Sequence, residues 1–334
     1  MQPDTTQDAA QAAFAGLTPD TMLDAIETEG IRCNGRFLAL NSYENRVYQV
    51  GVEDGETIVA KFYRPHRWSD EAILEEHQFT LDLAALEIPV IPPIVNDKGN
   101  SLHKQGNYRF ALYPNRGGRP LELDSTEQLE QLGRFIGRIH ALGASSDFQH
   151  RPALDIESFG DQSREFLLEK GFIPDYLQES YATLTADLLL QIRQAFAVTG
   201  NFRRIRLHGD CHPGNILYRI DTPHIVDFDD ARTGPAIQDL WMFLSGERSY
   251  MQEKLGDLLT GYEQFYKFDP RELNLIEALR SLRMIHYAAW LASRWSDPAF
   301  PLAFPWFNTT NYWEDHILSL REQAAAMNEP ALIW

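Results

Sequence analysis

The stretch LHGDCHPGNILYRIDTPHIVDFDDA, residues 207–231, carries the densest chemistry in the chain and governs the reading of its surroundings. Two short apolar runs, NILYRI and HIVDF, flank Asp221-Thr222-Pro223, a pattern that predicts a β-hairpin turning at those three residues. Asp210 and Asn215 stand five apart on the loop before the hairpin, which Pro213 and Gly214 interrupt; Asp227 follows on its far side, with Asp229 and Asp230 close behind. Hard divalent cations take oxygen ligands, and Mg2+ usually binds through one or two carboxylates plus phosphate oxygens. Asp227 and Asn215 supply such a pair, and Asp210 is then left to accept a hydroxyl proton. That division of labour is the one phosphoryl transfer uses on a protein-kinase architecture. Each residue alone has a plainer reading, since an Asp or Asn in a turn commonly satisfies backbone amides. The ordered set of H-G-D-x-x-x-x-N, a hairpin, then two apolar residues and Asp is what points to chemistry. His208, Cys211 and His212 lack the second ligand pair of a zinc site. His208 is expected to fix the loop by hydrogen bonding, and Cys211 to be a small packed residue.

Upstream, NRVYQVGV (45–52) and ETIVAKFY (56–63) are rich in β-branched and aromatic residues, with EDG between them as a turn. WSDEAILEEHQFTLDLAAL (68–86) predicts a helix capped by Ser69 or Asp70, with acids in its first turn. The prolines of IPVIPPIV (88–95) force extended backbone. NYRFALYP (107–114) reads as a strand, and PNRGGRP (114–120) as a flexible connection. Lys61 sits among apolar neighbours, where an unpaired ammonium is costly to bury. A phosphate and a carboxylate from the following helix, Glu75 or Glu76, would both relieve that cost. The segment NSYENRVYQV stands where a phosphate-covering hairpin is expected but holds no glycine from Asn41 to Val50, which leaves Ser42 and Asn45 as hydrogen-bond donors to phosphate. FALYPNRGG (110–118) fits a connector that contacts a nucleobase.

Behind this front the chain reads as helical. Ser125 and Gln128 have capping-box spacing, and Leu129, Leu132, Ile136 and Ile139 form one apolar stripe. Helical patterns also cover 181–197, 236–245 and 271–293. With 334 residues, the chain has room for two domains or two lobes. A hydrophobic content of 44%, with aromatic residues making up 12% of the chain, suffices for a sizeable core. A net charge of −18, from 30 basic and 48 acidic residues, argues against a nucleic-acid partner. No window approaches about 18 consecutive apolar residues, which argues against a membrane span. Two cysteines and a first stretch, MQPDTTQDAAQAAF, with neither basic start nor apolar run make a reducing cytoplasm the expected compartment. Residues 1–20 are expected to form a flexible tail, 21–113 a nucleotide-binding N-lobe and 114–334 a helical C-lobe.

HGDCHPGN followed by VDFDD resembles the Brenner motif and metal-binding Asp of the aminoglycoside-phosphotransferase and choline-kinase-like family. NSYENRVYQV, KFYRPHRW, ILEEHQF, RLHGDCHPGNIL, DDARTGPAIQDLW and WSDPAFPLAFPW, in that order, are similar to its bacterial stress-response serine/threonine protein kinases. The resemblance implies an α+β, bilobal protein-kinase-like fold with a small β-rich N-lobe and a larger helical C-lobe. It also implies a monomeric, cytoplasmic, ATP- and Mg2+-dependent kinase acting on protein Ser/Thr in envelope and oxidative stress protection; a protein acceptor leaves autophosphorylation open. On this resemblance Asp210 is the proton acceptor, Asn215 and Asp227 bind magnesium, and Asp227 also counts as an active-site residue. Ser42 lies at the ATP site, Lys61 holds the nucleotide phosphates, Glu76 rather than Glu75 is its partner, and Asp239 supports the catalytic loop. Glycine loop, HRD sequence and activation segment are all missing. The alternative expectation is a small-molecule kinase of the same family, acting on an amino alcohol, an aminoglycoside or a homoserine-like substrate.

Overall fold

A computed structural model describes residues 13–40, 42–53 and 55–334. The first elements are α1 (Pro19–Glu27), β1 (Cys33–Ala39), β2 (Arg46–Val52), β3 (Ile58–Phe62), α2 (Asp70–Ala85), β4 (His103–Gln105), β5 (Tyr108–Pro114) and β6 (Arg119–Pro120). Then follow α3 (Thr126–Gly143), α4 (Gln162–Glu169), α5 (Asp175–Thr199), β7 (Ile205–Leu207), β8 (Ile216–Arg219), β9 (Thr222–Ile225) and β10 (Arg232–Gly234). The last helices are α6 (Arg248–Tyr262), α7 (Ile276–Ser293), α8 (Ala299–Ala303) and α9 (Thr310–Ala326). Among the described residues no helix is long and apolar enough to cross a membrane. The chain divides into a unit that runs through Leu121 and includes Phe148–Arg151 and Gly214–Asp229, and a unit made of Glu122–Asp147, Pro152–Pro213 and Asp230–Trp334.

The first unit is built on an antiparallel sheet of order β1-β2-β3-β5-β4, so Lys61 lies on the central strand, opposite Val47 and Ala111. Its core joins Val50, Ala60, Phe62, Phe110 and Leu112 to Met22, Ala25 and Ile26 of α1. Ser69 caps α2, its hydroxyl accepting from the Ala72 N–H at 3.2 Å, and the helix buries Ile73, Glu76, Phe79, Thr80 and Leu83 at helical spacing. Three readings of the sequence are corrected here. Within the expected tail 1–20, residues 1–12 lie outside the described residues, but 13–20 are structured: α1 begins at Pro19, and the Arg46 guanidinium sits 4.4 Å over the Phe14 ring. The hairpin turns at Ile220 and Asp221, both left-handed at φ 45° and 57°, while Thr222 and Pro223 pair within β9. Two such residues match the right-handed twist of the strands they join. PNRGGRP is not wholly loose, because Arg119 and Pro120 pair with Tyr218 and Leu217 as β6.

That pairing moves the boundary between units away from 113/114. The β8–β9 hairpin is tied to β6, and the Ile225 N–H donates to the Pro89 carbonyl at 2.9 Å, so residues 214–229 belong with the sheet. The backbone of 149–151 joins them through the Glu75 carboxylate, which accepts from the N–H groups of Gln149, His150 and Arg151 at 2.6–2.9 Å.

The second unit is helical apart from the β7/β10 pair. The α3 stripe is buried as its spacing predicts, with Leu129, Leu132, Ile136 and Ile139 each at most 1% exposed. Its capping box is half formed: Ser125 accepts from the Gln128 N–H, whereas the Gln128 side chain turns to the Glu122 N–H. The span 236–245 is a pair of 3-10 turns rather than a helix. Helices α3 and α6 run so close that a methyl on Gly261 would lie 1.9 Å from the Glu130 carbonyl oxygen. In a helix interior, Gly→Ala ordinarily stabilises by about 1 kcal/mol. Here the backbones would have to separate, so Gly261→Ala is expected to lower the unfolding free energy by about 2 kcal/mol, read by urea denaturation. A stabilised variant would contradict the close approach.

Candidate active site

In the first unit, a cavity of about 380 Å³ is lined by Ser42, Lys61, Glu76, Asn215 and Asp227, with Val47, Val59, Leu217, Val226 and Phe228 as apolar walls. Five of the residues that the sequence singles out for cation and nucleotide binding thus open onto one space. Tyr113, Pro114, Asn115 and Arg116, from the expected nucleobase connector, line it as well. Asn45 does not. It is buried, and its Oδ1 accepts from the Arg64 N–H at 3.0 Å, so it holds a turn rather than reaching for phosphate.

The strongest electrostatic feature of the cavity is the Lys61 ammonium. It lies 3.1 Å from Asp227 Oδ1 and 3.1 Å from Asp229 Oδ1. Burial alone would push this ammonium down, but Asp227, Asp229 and Glu76 outweigh burial and hold it well above the ordinary lysine range. The expected Lys61–Glu76 pair therefore differs from what is seen: the ion pairs run to the two aspartates. Glu76 is 2% exposed, and its Oε2 has no hydrogen-bond donor among the described residues. Glu75, the other candidate, is committed to the 149–151 backbone. Asp229 is itself held by Arg67 Nη1, and its carbonyl accepts from Arg151 Nη2. No local pattern announces this cluster, because Lys61 and Asp227 are 166 residues apart.

Asp227 follows β9 with a left-handed φ of 62°. Asp tolerates that region better than most residues, at a modest cost that structures retain where a side chain must be aimed. Its side chain is 56% exposed, unlike that of Asp229 at 5%. The Val226 N–H donates to the Asn215 carbonyl at 3.0 Å, tying the two ends of the hairpin together and bringing Asn215 and Asp227 to the same cavity. An exposed carboxylate and a carboxamide lining one cavity offer hard oxygen donors, of the kind that suits Mg2+ rather than a thiophilic metal.

In the second unit, Asp210 is set by a buried scaffold. Asp239 Oδ2 accepts from the His208 N–H at 2.7 Å and Oδ1 from the Gly209 N–H at 2.8 Å. His140 Nε2 lies 3.1 Å from Asp239 Oδ2, and His140 Nδ1 lies 2.8 Å from the Tyr262 hydroxyl. Burial alone would raise the Asp239 carboxyl, but the His140 hydrogen bond and the loop amides hold it below the ordinary range. Gly209 has φ 85°, and a Cβ there would meet the Asp230 carbonyl oxygen at 2.2 Å, so only glycine fits. The Asp210 N–H donates to His208 Nδ1 at 3.3 Å, the loop-fixing role expected of that histidine. Cys211 is buried, and burial pushes its thiol well above the ordinary range, which leaves it unreactive. A partner that sequence reasoning missed is Arg283, whose Nη1 donates to Asp210 Oδ1 at 2.5 Å.

A sequence profile of the family described as "Phosphotransferase enzyme family" matches residues 36–276. "Stress response kinase A" of Escherichia coli (strain K12) is 44% identical over 323 residues, covering 96% of both chains. "Serine/threonine protein kinase RdoA" of Salmonella typhimurium is 42% identical over 319 residues, again with 96% coverage of each. Among solved structures, an amicoumacin kinase in complex with AMP-PNP and Ca2+ superposes with a TM-score of 0.73 at 18% identity, covering 96% of both chains. A microcompartment-associated aminopropanol kinase gives 0.67 at 17% identity, over 87% of this chain and 93% of that one. The α+β class and the protein-kinase-like phosphotransferase fold read from the sequence are those of these neighbours.

Glu76 gives this site a pH signature. Burial pushes its carboxyl up to about 7, with Lys61 pulling the other way. The unfolded chain releases this proton near pH 4.5 and the folded chain near 7, so between those values the folded state holds more protons. The stability that Glu76 contributes is therefore complete below pH 4.5 and lost as the pH rises to about 7. Relative to Glu76→Gln, the wild-type unfolding free energy should fall across that window and run parallel outside it. Urea denaturation at a series of pH values checks this, and curves parallel throughout would contradict it.

Proposed function

This chain belongs to the phosphotransferase enzyme family, and from that footing we propose that it is an ATP- and Mg2+-dependent kinase that transfers the terminal phosphoryl group of ATP to a serine or threonine hydroxyl of a protein. The observation that carries the reading is the cavity where Ser42, Lys61, Glu76, Asn215 and Asp227 converge. Its charge fits nucleotide delivered with a divalent cation. The Lys61 ammonium is already paired with Asp227 and Asp229, so a divalent cation arriving with the nucleotide would bring further positive charge to the phosphates. Asn215 and Asp227 would hold Mg2+, which when bound supplies charge neutralisation on the phosphate oxygens.

The protein's own residues divide the remaining work. Lys61 donates to phosphate oxygens, and Asp227 and Asp229 keep its ammonium charged and aimed. Ser42 offers a hydroxyl to the same space, and Tyr113 to Arg116 offer backbone groups to the base. Asp210, fixed through His208, Gly209 and Asp239, accepts the proton of the acceptor hydroxyl as its oxygen attacks phosphorus. The phosphoanhydride oxygen leaves with ADP. The relatives named serine/threonine protein kinase and stress response kinase support a protein acceptor and a stress-protective role. A small-molecule acceptor is the second reading, favoured by the amicoumacin and aminopropanol kinases of like fold.

One assay separates the readings. The purified chain, with labelled ATP and Mg2+, is offered itself, a generic protein and a set of amino alcohols, beside the Asp210→Ala variant. Label on protein Ser/Thr that falls at least about 100-fold in the variant is expected. Label confined to an amino alcohol establishes the second reading. No transfer to any acceptor overturns both.

A further inference from the structure

Gln238 precedes Asp239 in the first 3-10 turn of the 236–245 segment, and it is buried. Its Oε1 accepts from the Trp241 indole N–H at 3.1 Å, and its Nε2 donates to the Gly209 carbonyl at 3.0 Å. An indole nitrogen can only donate and a carbonyl oxygen can only accept, so a side chain bridging the two needs an acceptor at one end and a donor at the other. A carboxamide has both. The Gly209 carbonyl belongs to the peptide plane from which Asp210 departs. The other polar group of that plane, the Asp210 N–H, donates to His208 Nδ1 at 3.3 Å, so the Gln238 bond is the shorter of these two. Asp239 grips the plane before it, through the Gly209 N–H at 2.8 Å. Glycine has wide backbone freedom, and a bond to its N–H alone would leave the next plane free to turn. The Gln238 donor opposes that rotation.

The turn that carries Gln238 is anchored from behind by Glu272. This carboxyl group is buried, and its Oε2 accepts from the Ile237 N–H at 2.9 Å. Burial pushes it up to about 7, while the amides of Ile237 and Ala236 pull the other way. Neither Gln238 nor Glu272 takes part in the chemistry derived above, yet both are buried polar groups whose bonds lead to the loop before Asp210. We propose that Gln238 is a positioning residue for Asp210: it fixes the peptide plane from which that carboxylate departs, with Glu272 holding its turn in place. This rests on the assignment of Asp210 as proton acceptor. Two side chains adjacent in the sequence then share the loop, Asp239 holding two of its N–H groups and Gln238 its Gly209 carbonyl. Neither lines the cavity that holds Lys61, so breaking the bridge should act on transfer and spare nucleotide binding.

The test is hydrogen exchange at the backbone amides of 208–210, read beside turnover, in Gln238→Met, which keeps the shape and removes the N–H donor. Those amides should exchange at least about tenfold faster than in the wild type, while α3 and α7 keep their protection. Turnover of labelled ATP with a generic protein acceptor should fall at least about tenfold, with affinity for a non-hydrolysable ATP analogue within about twofold of wild type. Trp241→Phe leaves the Gln238 donor in place but frees the carboxamide to turn; it should show the same pattern at smaller amplitude, and it carries the test if the first variant does not fold. Unchanged exchange at 208–210 overturns the proposal. So does faster exchange spread evenly over the helices of the second unit, the mark of a purely structural role, and so does unchanged turnover in a chain whose loop is loosened. Loosening confined to the loop, in a protein whose wild type transfers no phosphate, leaves the positioning of Asp210 standing and overturns the kinase reading instead.

Discussion

A single ammonium on the central strand of a sheet organises the first unit. Lys61 occupies a position where an unpaired charge would be prohibitive, and it is tolerated because Asp227 and Asp229 reach it from a hairpin far along the sequence. The pairing makes the sheet and the hairpin interdependent. It also fixes the side chains of β3, α2 and the segment after β9 around one cavity. Buried pairs of this kind are poor sources of net stability but strict about geometry, since loss of either partner strands a charge. Asp227, the exposed partner of the ammonium, is the aspartate left facing the cavity.

The second unit solves a parallel problem with the opposite charge. The Asp239 carboxylate is buried, yet it stays ionised because two loop amides and His140 surround it. Those bonds hold the backbone of His208 and Gly209, and hence the direction in which Asp210 leaves the loop. Gly209 supplies the left-handed turn, and no side chain fits in its place. In both units a buried ion thus acts as a positioning device for a more exposed carboxylate, Asp227 in one and Asp210 in the other.

Much of this was legible in order and spacing. The β-branched runs around Lys61, the Ser69 cap and the Leu129–Ile139 stripe report local rules of periodicity and capping, and local rules survive folding. The hairpin was legible, but its turn was displaced: Pro223 and Thr222 look like turn residues, while the left-handed pair falls on Ile220 and Asp221, which strand register demands. The start of α1 was lost in a polar stretch, because its burial depends on a sheet formed later in the chain. Least legible were the partners of charges. Nothing near Lys61 names Asp229, nothing near Asp210 names Arg283, and Glu75 and Glu76 are neighbours with opposite fates set by which side of α2 faces the cavity. Periodicity can place a carboxylate on a face, but it cannot say which cation arrives there from elsewhere in the chain.

The most direct measurement of the central claim is a calorimetric titration of a non-hydrolysable ATP analogue into the wild-type chain, with Mg2+ and again with the cation chelated. If the Lys61 ammonium is committed to Asp227 and Asp229 and a divalent cation is what meets the phosphates, binding should weaken at least about tenfold on chelation. Asp227→Asn should blunt that dependence on the cation. Equal affinity with and without the cation would contradict the account.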